Sequence, residues 1–260
     1  MRLRTLLGDH PGTAALKNGT IKSDRVTLDF ADYSPTHKGF KPMVLLPCVV
    51  MARFQHAFAL YNGKFGTLSP RDLNNKRVGI RSFTTTTGAW IRGILANDYG
   101  VNLDKIRWVT FEDPHVAEYV DTTARAPKGK KILQMLLDGE LDAVLGEASS
   151  DPKLRPLFPD PAAEAAIWYA RRGVVPVNHL VVVTEQLAQS RPDVVSGIYV
   201  LLKRSKVQAG PAATPDLVPF GIEANRRSLE LIVDYAFQQA LIPRRYAVEE
   251  LFDATTRGLN

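Results

Sequence analysis

Five hydroxyl side chains lie between a short apolar strand and the start of an apolar helix. They belong to Ser82 and to residues 84–87, and Arg81 and Arg92 add positive charge on either side. The first turn of a helix has backbone N–H groups without partners and carries the positive end of the helix dipole, so an anion binds there readily. The segment therefore predicts an anion site, and the alternative is an ordinary strand–turn–helix with one threonine as its N-cap.

Polar loops follow several other predicted strands. They comprise residues 9–10, 112–115 and 147–149. Ligands of open α/β sheets bind beyond the C-terminal ends of the strands. We therefore expect these loops and the hydroxyl-rich segment to converge on one cleft.

The composition is that of an ordinary soluble globular protein, with 45% hydrophobic and 23% charged residues among 260. The net charge of +6 is spread along the chain. Its densest basic run, residues 128–131, is short and lacks aromatic residues, so we predict no nucleic-acid partner. The single cysteine, Cys48, excludes an internal disulfide and a cysteine-based zinc site. It lies in an apolar run, which predicts a buried hydrophobic residue rather than a nucleophile.

The N-terminus predicts a cytoplasmic protein. Residues 1–7 hold two arginines and only a few apolar positions before Gly8. A secretory signal needs about 7–15 apolar residues and then a small-residue cleavage site. No apolar run approaches the roughly 20 residues that a membrane span requires, so we expect no membrane partner.

Strands and helices alternate along the predicted chain, which favours α/β units with mostly parallel sheets. Strands are predicted at residues 3–7, 26–30, 45–51, 57–61, 78–80, 106–110, 141–145 and 180–183. Helices are predicted at residues 13–17, from Trp90 to Gly100, at 131–137, in the alanine-rich stretch reaching Trp168, and at 192–206, 222–240 and 247–255. Residues 33–42 and the proline-rich residues 152–161 are predicted loops.

Seven short segments carry a resemblance to a known family. They are Leu7-Gly8-Asp9, Arg53-Phe54-Gln55-His56, Leu68-Ser69-Pro70-Arg71-Asp72-Leu73, Arg77-Val78-Gly79, Thr110-Phe111-Glu112-Asp113, Asp138-Gly139-Glu140-Leu141-Asp142-Ala143 and Val177-Asn178-His179. In this order they resemble the 4,5-dihydroxyphthalate decarboxylase family, which is itself similar to the type 2 periplasmic binding proteins. The segments around Pro70 and Gly139 are shared across that superfamily and support the fold, whereas those of Arg53 and Asn178 are narrower.

The resemblance implies an α/β fold of the two-lobed, type 2 periplasmic-binding-protein-like kind. We expect residues 1–70 together with 185–260 to form the first lobe, and residues 71–184 the second. The family normally carries one more strand and helix between the loop ending at Lys41 and the strand starting at Leu45. Here the loop runs straight into that strand, so we expect the first lobe to lack about one strand–helix unit. Such a deletion bears on activity more than on fold.

The resemblance also implies a cofactor-independent carboxy-lyase that acts on a dihydroxylated aromatic dicarboxylate, as in the conversion of 4,5-dihydroxyphthalate to protocatechuate. The ligand is expected in the cleft between the lobes, and the role in the degradation of phthalate and other aromatic compounds. A hydroxyl group para to the leaving carboxylate enriches the reacting carbon in electrons, and a proton delivered there lets CO2 leave. Such a site needs donors for carboxylates, a base for the phenol and an acid near the reacting carbon.

Carboxylate binding is assigned on this resemblance to residues that donate hydrogen bonds. Arginine can grip a carboxylate with two parallel bonds, and hydroxyl groups at a helix start can hold it too. The assigned residues are Arg81, Ser82, Thr84, Thr85 and Thr86, with Arg53 as a second clamp.

His56 and His179 are the candidates for proton transfer, because imidazole titrates near neutral pH. Each also fits an ordinary structural histidine, since His56 enters one apolar strand and His179 precedes another. Glu112 is assigned to catalysis and Asp113 to substrate binding, where a carboxylate can orient a histidine or a phenol. The alternative for both acids is a solvated loop or a helix N-cap.

No cofactor is required by the sequence and no metal site is predicted. The acidic and histidine side chains near residue 112 form no spaced motif such as His-x-x-x-His. Together with the distant His179 they are nevertheless of types that bind a divalent ion; they are Glu112, Asp113 and His115. The expected partner is a small aromatic carboxylate. A homo-oligomer is compatible with the helix at residues 222–240, for which packing within its own lobe is the default.

The rival function is a solute-binding protein of the ABC-transporter type that captures an aromatic or other small carboxylate without chemistry. A related lyase or isomerase acting on another cyclic acid is a third possibility. The hydroxyl-rich turn binds an acid equally well in each case. The choice rests on His56, His179 and the expected lack of a leader.

Overall fold

The computed structural model describes residues 1–31, 42–116, 118–211 and 213–260. The strands are β1 Arg2–Leu6, β2 Thr27–Ala31, β3 Met43–Ala52, β4 Ala59–Asn62, β5 Arg77–Ile80, β6 Arg107–Thr110, β7 Ala124–Arg125, β8 Ala143–Leu145, β9 Leu154–Pro156 and β10 Val177–Thr184. The helices are α1 Pro11–Lys17, α2 Thr86–Tyr99, α3 Ile132–Leu137, α4 Pro161–Arg172, α5 Glu185–Ser190, α6 Pro192–Gln208 and α7 Ile222–Gln238. The predicted α/β class is confirmed.

Internal contacts divide the chain into two compact units. Unit 1 comprises Met1–Ala52, His179–Leu229 and Tyr246–Asn260, and unit 2 comprises Arg53–Asn178 and Glu230–Arg245. Both units are discontinuous. The chain passes from one unit to the other at several positions, two of which lie within β10 and α7. The lobe boundaries at about residues 70 and 184 stay a prediction.

Unit 1 contains two separate two-stranded sheets among the described residues. β1 and β2 run parallel, with Leu3 opposite Leu28, and β3 pairs with β10. The core of the unit includes Leu16 of α1 and Leu46 of β3. Cys48 has no exposed surface, and burial raises the pKa of its thiol well above the usual range. The expectation of a buried cysteine is therefore confirmed, and a raised thiol pKa disfavours a nucleophile.

Unit 2 is built on a six-stranded sheet with the order β7–β6–β5–β8–β4–β9. The first four strands run parallel, whereas β4 is antiparallel to both β8 and β9. Ile80 lies beside Thr110 on one side and Leu145 on the other, so β5, β6 and β8 end at the same edge. Arg81 and Gly146 follow directly. The sheet thus brings the loops after these three strands together, as the sequence predicts.

Helix α2 lies in unit 2 with an apolar face that is fully buried. That face consists of Trp90, Ile91, Ile94 and Leu95, which recur at helical spacing. Gly93 lets the ring of Tyr235 lie directly against the helix, because a Cβ atom built on Gly93 falls 2.0 Å from Tyr235 Cδ2. Gly100 ends the helix with a φ of 67°, a left-handed conformation that glycine adopts readily. This packing fixes the axis of α2 and the position of its first turn.

The strand predicted at residues 57–61 begins later than expected. His56–Phe58 forms a single 3₁₀ turn, and only Ala59–Asn62 is extended. The alternation of apolar residues continues through both parts, so the pattern alone does not mark the change.

The helix predicted at residues 247–255 is wrong beyond one 3₁₀ turn, Val248–Leu251. The carboxylate of Glu250 accepts the N–H of Ala247 over 2.8 Å, and the chain is already extended at Phe252. Three short elements, β7, β9 and α5, were not predicted, because two to six residues are too few for a periodicity to be read.

Two sequence-based expectations fall outside the described residues. They concern residues 33–41 of the predicted loop and the chain at Lys41, where a strand–helix unit is expected to be lacking. Within the four described ranges, no helix is both long and apolar enough to cross a membrane.

Candidate functional site

The hydroxyl side chains before α2 mostly shape the turn that leads into the helix. Oγ1 of Thr85 donates to the carbonyl of Ser82 over 3.0 Å, and the hydroxyls of Ser82 and Thr84 share a hydrogen bond of 3.2 Å. The N–H of His115 donates to Oγ1 of Thr84 over 2.7 Å. These bonds hold the turn together and tie it to the loop after β6.

The N-terminus of α2 lacks a side-chain cap, although a threonine occupies the N-cap position. Thr85 engages its hydroxyl with Ser82 and accepts no N–H group of the helix. Thr86, the first helical residue, is exposed. Uncapped N–H groups at the positive end of a helix dipole favour an anion. The arrangement therefore fits the predicted anion site better than the alternative of a simple threonine cap.

Arg81 joins the turn to the next strand end. Its carbonyl accepts the N–H groups of Phe111 and Glu112 over 2.9 and 2.7 Å. Its Nε lies 3.0 Å from Oε1 of Glu112, and the other oxygen of Glu112 lies 3.3 Å from Nε2 of His115. Both Arg81 and Glu112 are partly exposed, so the pair is open to a ligand.

Glu147 brings a second carboxyl group to this arginine. It is half-buried and comes two residues after β8, at the edge where Arg81 follows β5. Burial raises the pKa of Glu147, and Glu112 raises it further, while Arg81 lowers it. A carboxyl group with a raised pKa is a stronger base once it is ionised, and it keeps a proton to higher pH.

A second polar group in unit 2 forms around Arg53. The guanidinium carbon of Arg53 lies 3.8 Å from the centroid of the Phe58 ring. One terminal nitrogen is 3.5 Å from Oγ1 of Thr87, and Nε is buried with no partner among the described residues. Burial lowers the pKa of Arg53. No carboxylate of the described chain pairs with this half-buried cation.

Gln55 and Asn178 complete this group. The side-chain nitrogen of Gln55, which is fully buried, donates to the carbonyl of Arg53 over 3.0 Å and to Oδ1 of Asn178 over 2.9 Å. Nδ2 of Asn178 donates in turn to Oγ1 of Thr87 over 3.2 Å. A continuous chain of hydrogen bonds thus runs from the backbone of Arg53 to the first turn of α2.

Arg92 lies fully buried on the inner side of the same turn. One terminal nitrogen donates to the carbonyl of Phe83 over 2.7 Å, and Nε donates to Oε1 of Gln239 over 2.7 Å. The other terminal nitrogen is buried and has no partner in the described part of the chain. Burial lowers the pKa of Arg92 to about 9, and no carboxylate among the described residues forms an ion pair with it.

His56 lies in an aromatic environment. Its ring packs edge-on against Phe158 and Trp168, with centroid distances of 5.0 and 6.1 Å. Only 1% of its surface is exposed, and burial lowers its pKa to about 4, although Glu164 and Asp98 act in the opposite direction. The imidazole is therefore neutral at neutral pH. Its role in proton transfer stays a prediction, and its surroundings suit a structural histidine.

The other predicted residues have different surroundings. His179 belongs to unit 1, where it is exposed on β10. Asp113 is also exposed and forms an ion pair with Arg125 over 2.9 Å, in keeping with the alternative of a solvated loop. The structure brings Arg81, Glu112 and the hydroxyl-rich turn together, whereas it gives Asp113 a partner of its own.

Four residues of these groups were not among the assigned site residues: Gln55, Thr87, Glu147 and Asn178. Gln55 and Asn178 stand in the narrower family segments, directly before His56 and His179. Thr87 is one of the five hydroxyls, but spacing does not tell which of them lies beside Arg53 and Asn178. Glu147 was placed only in a loop beyond a strand.

The described residues contain no group of three or more His, Cys, Asp or Glu side chains arranged to hold a metal ion. That no cofactor is required stays a prediction. A cavity of about 630 Å³ lies in unit 1 beside Lys206, which is ion-paired with Asp216. None of the predicted site residues lines it.

Comparison with solved structures defines the fold. The periplasmic aliphatic sulphonate binding protein SsuA from Escherichia coli matches with a TM-score of 0.57 and 10% identity over 99% of this chain and 98% of that one. The desulfurization enzyme DSZB matches with a TM-score of 0.55 and 13% identity over 97% and 95%. At such identities the likeness shows the fold alone, and the expected periplasmic-binding-protein-like fold is confirmed.

Comparison of sequences identifies the family. No family model matches the chain. The 4,5-dihydroxyphthalate decarboxylase of Comamonas testosteroni is 30% identical over 239 residues, which is 84% of this chain and 72% of that protein. The enzyme of the same name from Pseudomonas putida is 28% identical over 162 residues, 56% of this chain and 63% of that protein. The chain therefore belongs to the 4,5-dihydroxyphthalate decarboxylase family, a family of carboxy-lyases.

Proposed function

We propose that this protein removes one carboxyl group from a dihydroxylated aromatic dicarboxylate, as in the conversion of 4,5-dihydroxyphthalate to protocatechuate. The observation that carries the proposal is the 30% identity with the Comamonas testosteroni decarboxylase over 84% of this chain. The proposed place of action is the cytoplasm, in the degradation of aromatic compounds, and no cofactor is proposed.

The reaction replaces a carboxylate by a proton. The phenol oxygen para to the leaving carboxylate supplies electron density to the ring, and a proton adds to the carbon that bears that carboxylate. The carbon–carbon bond then breaks, its electron pair restores the aromatic ring, and CO2 departs. One proton is taken up for each CO2 released, so the balance needs no oxidant or reductant.

Two features of unit 2 support the binding of a carboxylate. The first turn of α2 is uncapped, and Arg53 lies beside it without an acidic partner in the described chain. A bidentate or charge-assisted contact to a carboxylate is worth about 1.5–3 kcal/mol. Arg81 and the turn from Ser82 to Thr86 are proposed to complete the carboxylate site.

Glu147 is the group of this unit that we propose as the base for the phenol. Its raised pKa makes its carboxylate a stronger base than an ordinary glutamate, and Arg81 stabilises its ionised form. Glu112 is proposed to orient Arg81 through the contact of 3.0 Å. In this arrangement Arg81 contacts one carboxyl group, that of Glu112, and its charge acts on the other, that of Glu147.

His179 remains the proposed proton donor, as the resemblance implies, and its role is separable by experiment. His179→Ala is expected to lower turnover at least 100-fold, the usual contribution of general acid catalysis, while phthalate binding measured by calorimetry stays within a few-fold. His56→Leu is expected to retain turnover, because the ring of His56 is neutral and enclosed by Phe158 and Trp168. Full activity of the folded His179 variant would remove that residue from the reaction.

The function is tested by incubating the purified protein with 4,5-dihydroxyphthalate and following CO2 and dihydroxybenzoate. The proposal expects both products in equal amounts. Tight binding without either product would favour the rival, a solute-binding protein, since its fold is shared by SsuA. Turnover of a different cyclic acid would favour a related lyase or isomerase. The position of the ligand between two lobes stays a prediction.

A further inference from the structure

We propose that Thr87 is a hydrogen-bond donor to a carboxylate oxygen of the ligand, and that Gln55 and Asn178 are positioning residues that aim its hydroxyl outward. The inference rests on the proposed function for the class of ligand, an aromatic carboxylate. It goes beyond that function because it assigns a specific contact to Thr87 and names the two side chains that orient its hydroxyl.

The direction of the hydrogen bonds is fixed from the backbone. The carbonyl oxygen of Arg53 can only accept, so the side-chain atom of Gln55 at 3.0 Å must be the amide nitrogen. The same nitrogen lies 2.9 Å from the side chain of Asn178, which must therefore present its oxygen to Gln55. Nδ2 of Asn178 is then the atom that faces Thr87, at 3.2 Å. The orientation of both amides follows without any assumption about their protons.

Both neighbours of Oγ1 of Thr87 are therefore donors. Asn178 offers an amide N–H, and Arg53 offers a guanidinium N–H at the longer distance of 3.5 Å. Neither group can accept a hydrogen bond. The hydroxyl proton of Thr87 must point elsewhere, and the described residues provide no acceptor for it. The carbonyl of Phe83, four residues before Thr87, accepts a hydrogen bond from Arg92.

The other four hydroxyls of the segment are differently placed. Thr85 donates to the carbonyl of Ser82, while Ser82 and Thr84 bond to each other and Thr84 also accepts the N–H of His115. Thr86 is exposed. Thr87 is thus a hydroxyl of this turn whose two described neighbours are both donors, which directs its proton toward an external acceptor.

The charge around Thr87 selects an anionic acceptor. A Cβ atom built on the neighbouring Gly88 falls 3.1 Å from the terminal nitrogen of Arg92 that has no partner, so this buried cation is directed at the first turn of α2. Arg53 is the second cation beside the turn, and neither arginine has an acidic partner in the described ranges. Two uncompensated guanidinium groups and a helix N-terminus together favour a carboxylate oxygen over a neutral one.

The test uses phthalate as the probe and isothermal titration calorimetry as the readout. Thr87→Val removes the hydroxyl and keeps the shape, and we expect at least a tenfold loss of affinity. Thr87→Ser keeps the hydroxyl and is expected to bind within about threefold of the wild type. Thr87→Ala repeats the loss should the valine variant fail to fold, which circular dichroism and the melting temperature show.

Asn178→Asp tests whether Asn178 orients the hydroxyl of Thr87. It replaces the donor facing Thr87 by an acceptor of the same shape, so the hydroxyl turns inward and affinity is expected to fall at least tenfold. The loss should persist at about 1 M salt, where the Debye length is about 3 Å and simple repulsion of phthalate is screened. Asn62→Asp is the control, because Asn62 is another side-chain amide of unit 2, itself buried and bonded to the carbonyls of Leu136 and Leu137.

The outcomes separate this proposal from the proposed function. Equal phthalate affinity of folded Thr87→Val, Thr87→Ser and wild-type protein would overturn the assignment of Thr87, even if 4,5-dihydroxyphthalate is decarboxylated normally. Failure of the wild type to bind phthalate would overturn it as well. Weakened binding in Thr87→Val with no decarboxylation by the wild type would support the contact and contradict the enzyme.

Discussion

Nε of Arg81 lies 3.0 Å from Oε1 of Glu112, across the ends of the parallel strands β5 and β6, and strand β8 brings Glu147 to the same edge. The arginine is half-exposed, so this contact in high dielectric contributes little to stability by itself. Its position between two carboxyl groups at the carboxyl end of a parallel sheet is the arrangement expected of a binding site. We therefore expect its removal to affect ligand binding more than folding.

Arg81→Ala is expected to weaken phthalate binding by about 1.5–3 kcal/mol, the usual scale for a charge-assisted hydrogen bond. Calorimetric titration measures the change. Arg77→Ala is the matched control, because Arg77 stands on the same strand, is similarly exposed and pairs with Asp142 at the opposite end. An unchanged affinity of Arg81→Ala would remove this arginine from the site.

Glu147→Gln is expected to lower turnover at least 100-fold, because an amide cannot accept the phenol proton. In the wild type the active form is the carboxylate, so turnover should fall as pH drops through the raised pKa of Glu147, which lies above 4.5. Arg81→Ala removes a charge that lowers this pKa, and the acid limb of its pH profile should move to higher pH. A profile of Arg81→Ala that coincides with the wild type would contradict this role.

Burial of His56 makes the protein sensitive to acid. The pKa of His56 is lowered from 6.5 to about 4 by folding, so the unfolded chain binds the proton first as pH falls. The free energy of unfolding should decrease between pH 6.5 and about 4, by about 3 kcal/mol in total from this residue. Urea unfolding of wild type and His56→Leu at pH 7 and pH 5 measures the difference. An equal loss in both proteins would contradict the assignment.

Gly93→Ala is expected to lower the free energy of unfolding by about 1–3 kcal/mol, because the new Cβ atom overlaps the ring of Tyr235. Gly197 of α6 offers a matched control, since a Cβ atom built there meets nothing within 4 Å. Gly197→Ala should stabilise the protein by about 0.5–1 kcal/mol through its better helix propensity. Equal effects of the two changes in urea unfolding would show that α2 and Tyr235 are not in this contact.

Much of the fold was predictable because it depends on local patterns. The apolar run of β5, the hydroxyl-rich turn and the spacing of Trp90 and Ile94 predicted a strand, a turn and a helix in the right order. The extended conformation at Phe252, which follows the single turn Val248–Leu251, was not predictable from periodicity. Short strands such as β9 depend on a partner strand that lies far away in the sequence.

The candidate site was predictable in its location but not in its details. Strand order placed the loops of Arg81, Glu112 and Glu147 at one edge, as expected for a parallel sheet. The direction of the hydroxyl of Thr87 depends on Asn178, which is 91 residues away in the chain. Such long-range hydrogen bonds leave no periodic signal, so the sequence did not indicate the roles of Gln55 and Asn178.

The most direct test of the proposed decarboxylase is the stoichiometry of its reaction in D2O. Incubation with 4,5-dihydroxyphthalate should release one CO2 for each 3,4-dihydroxybenzoate formed, with one deuterium at the carbon that lost the carboxylate. Mass spectrometry and proton NMR measure both quantities on the same sample. Tight binding of 4,5-dihydroxyphthalate with no CO2 and no deuterated product would contradict the account.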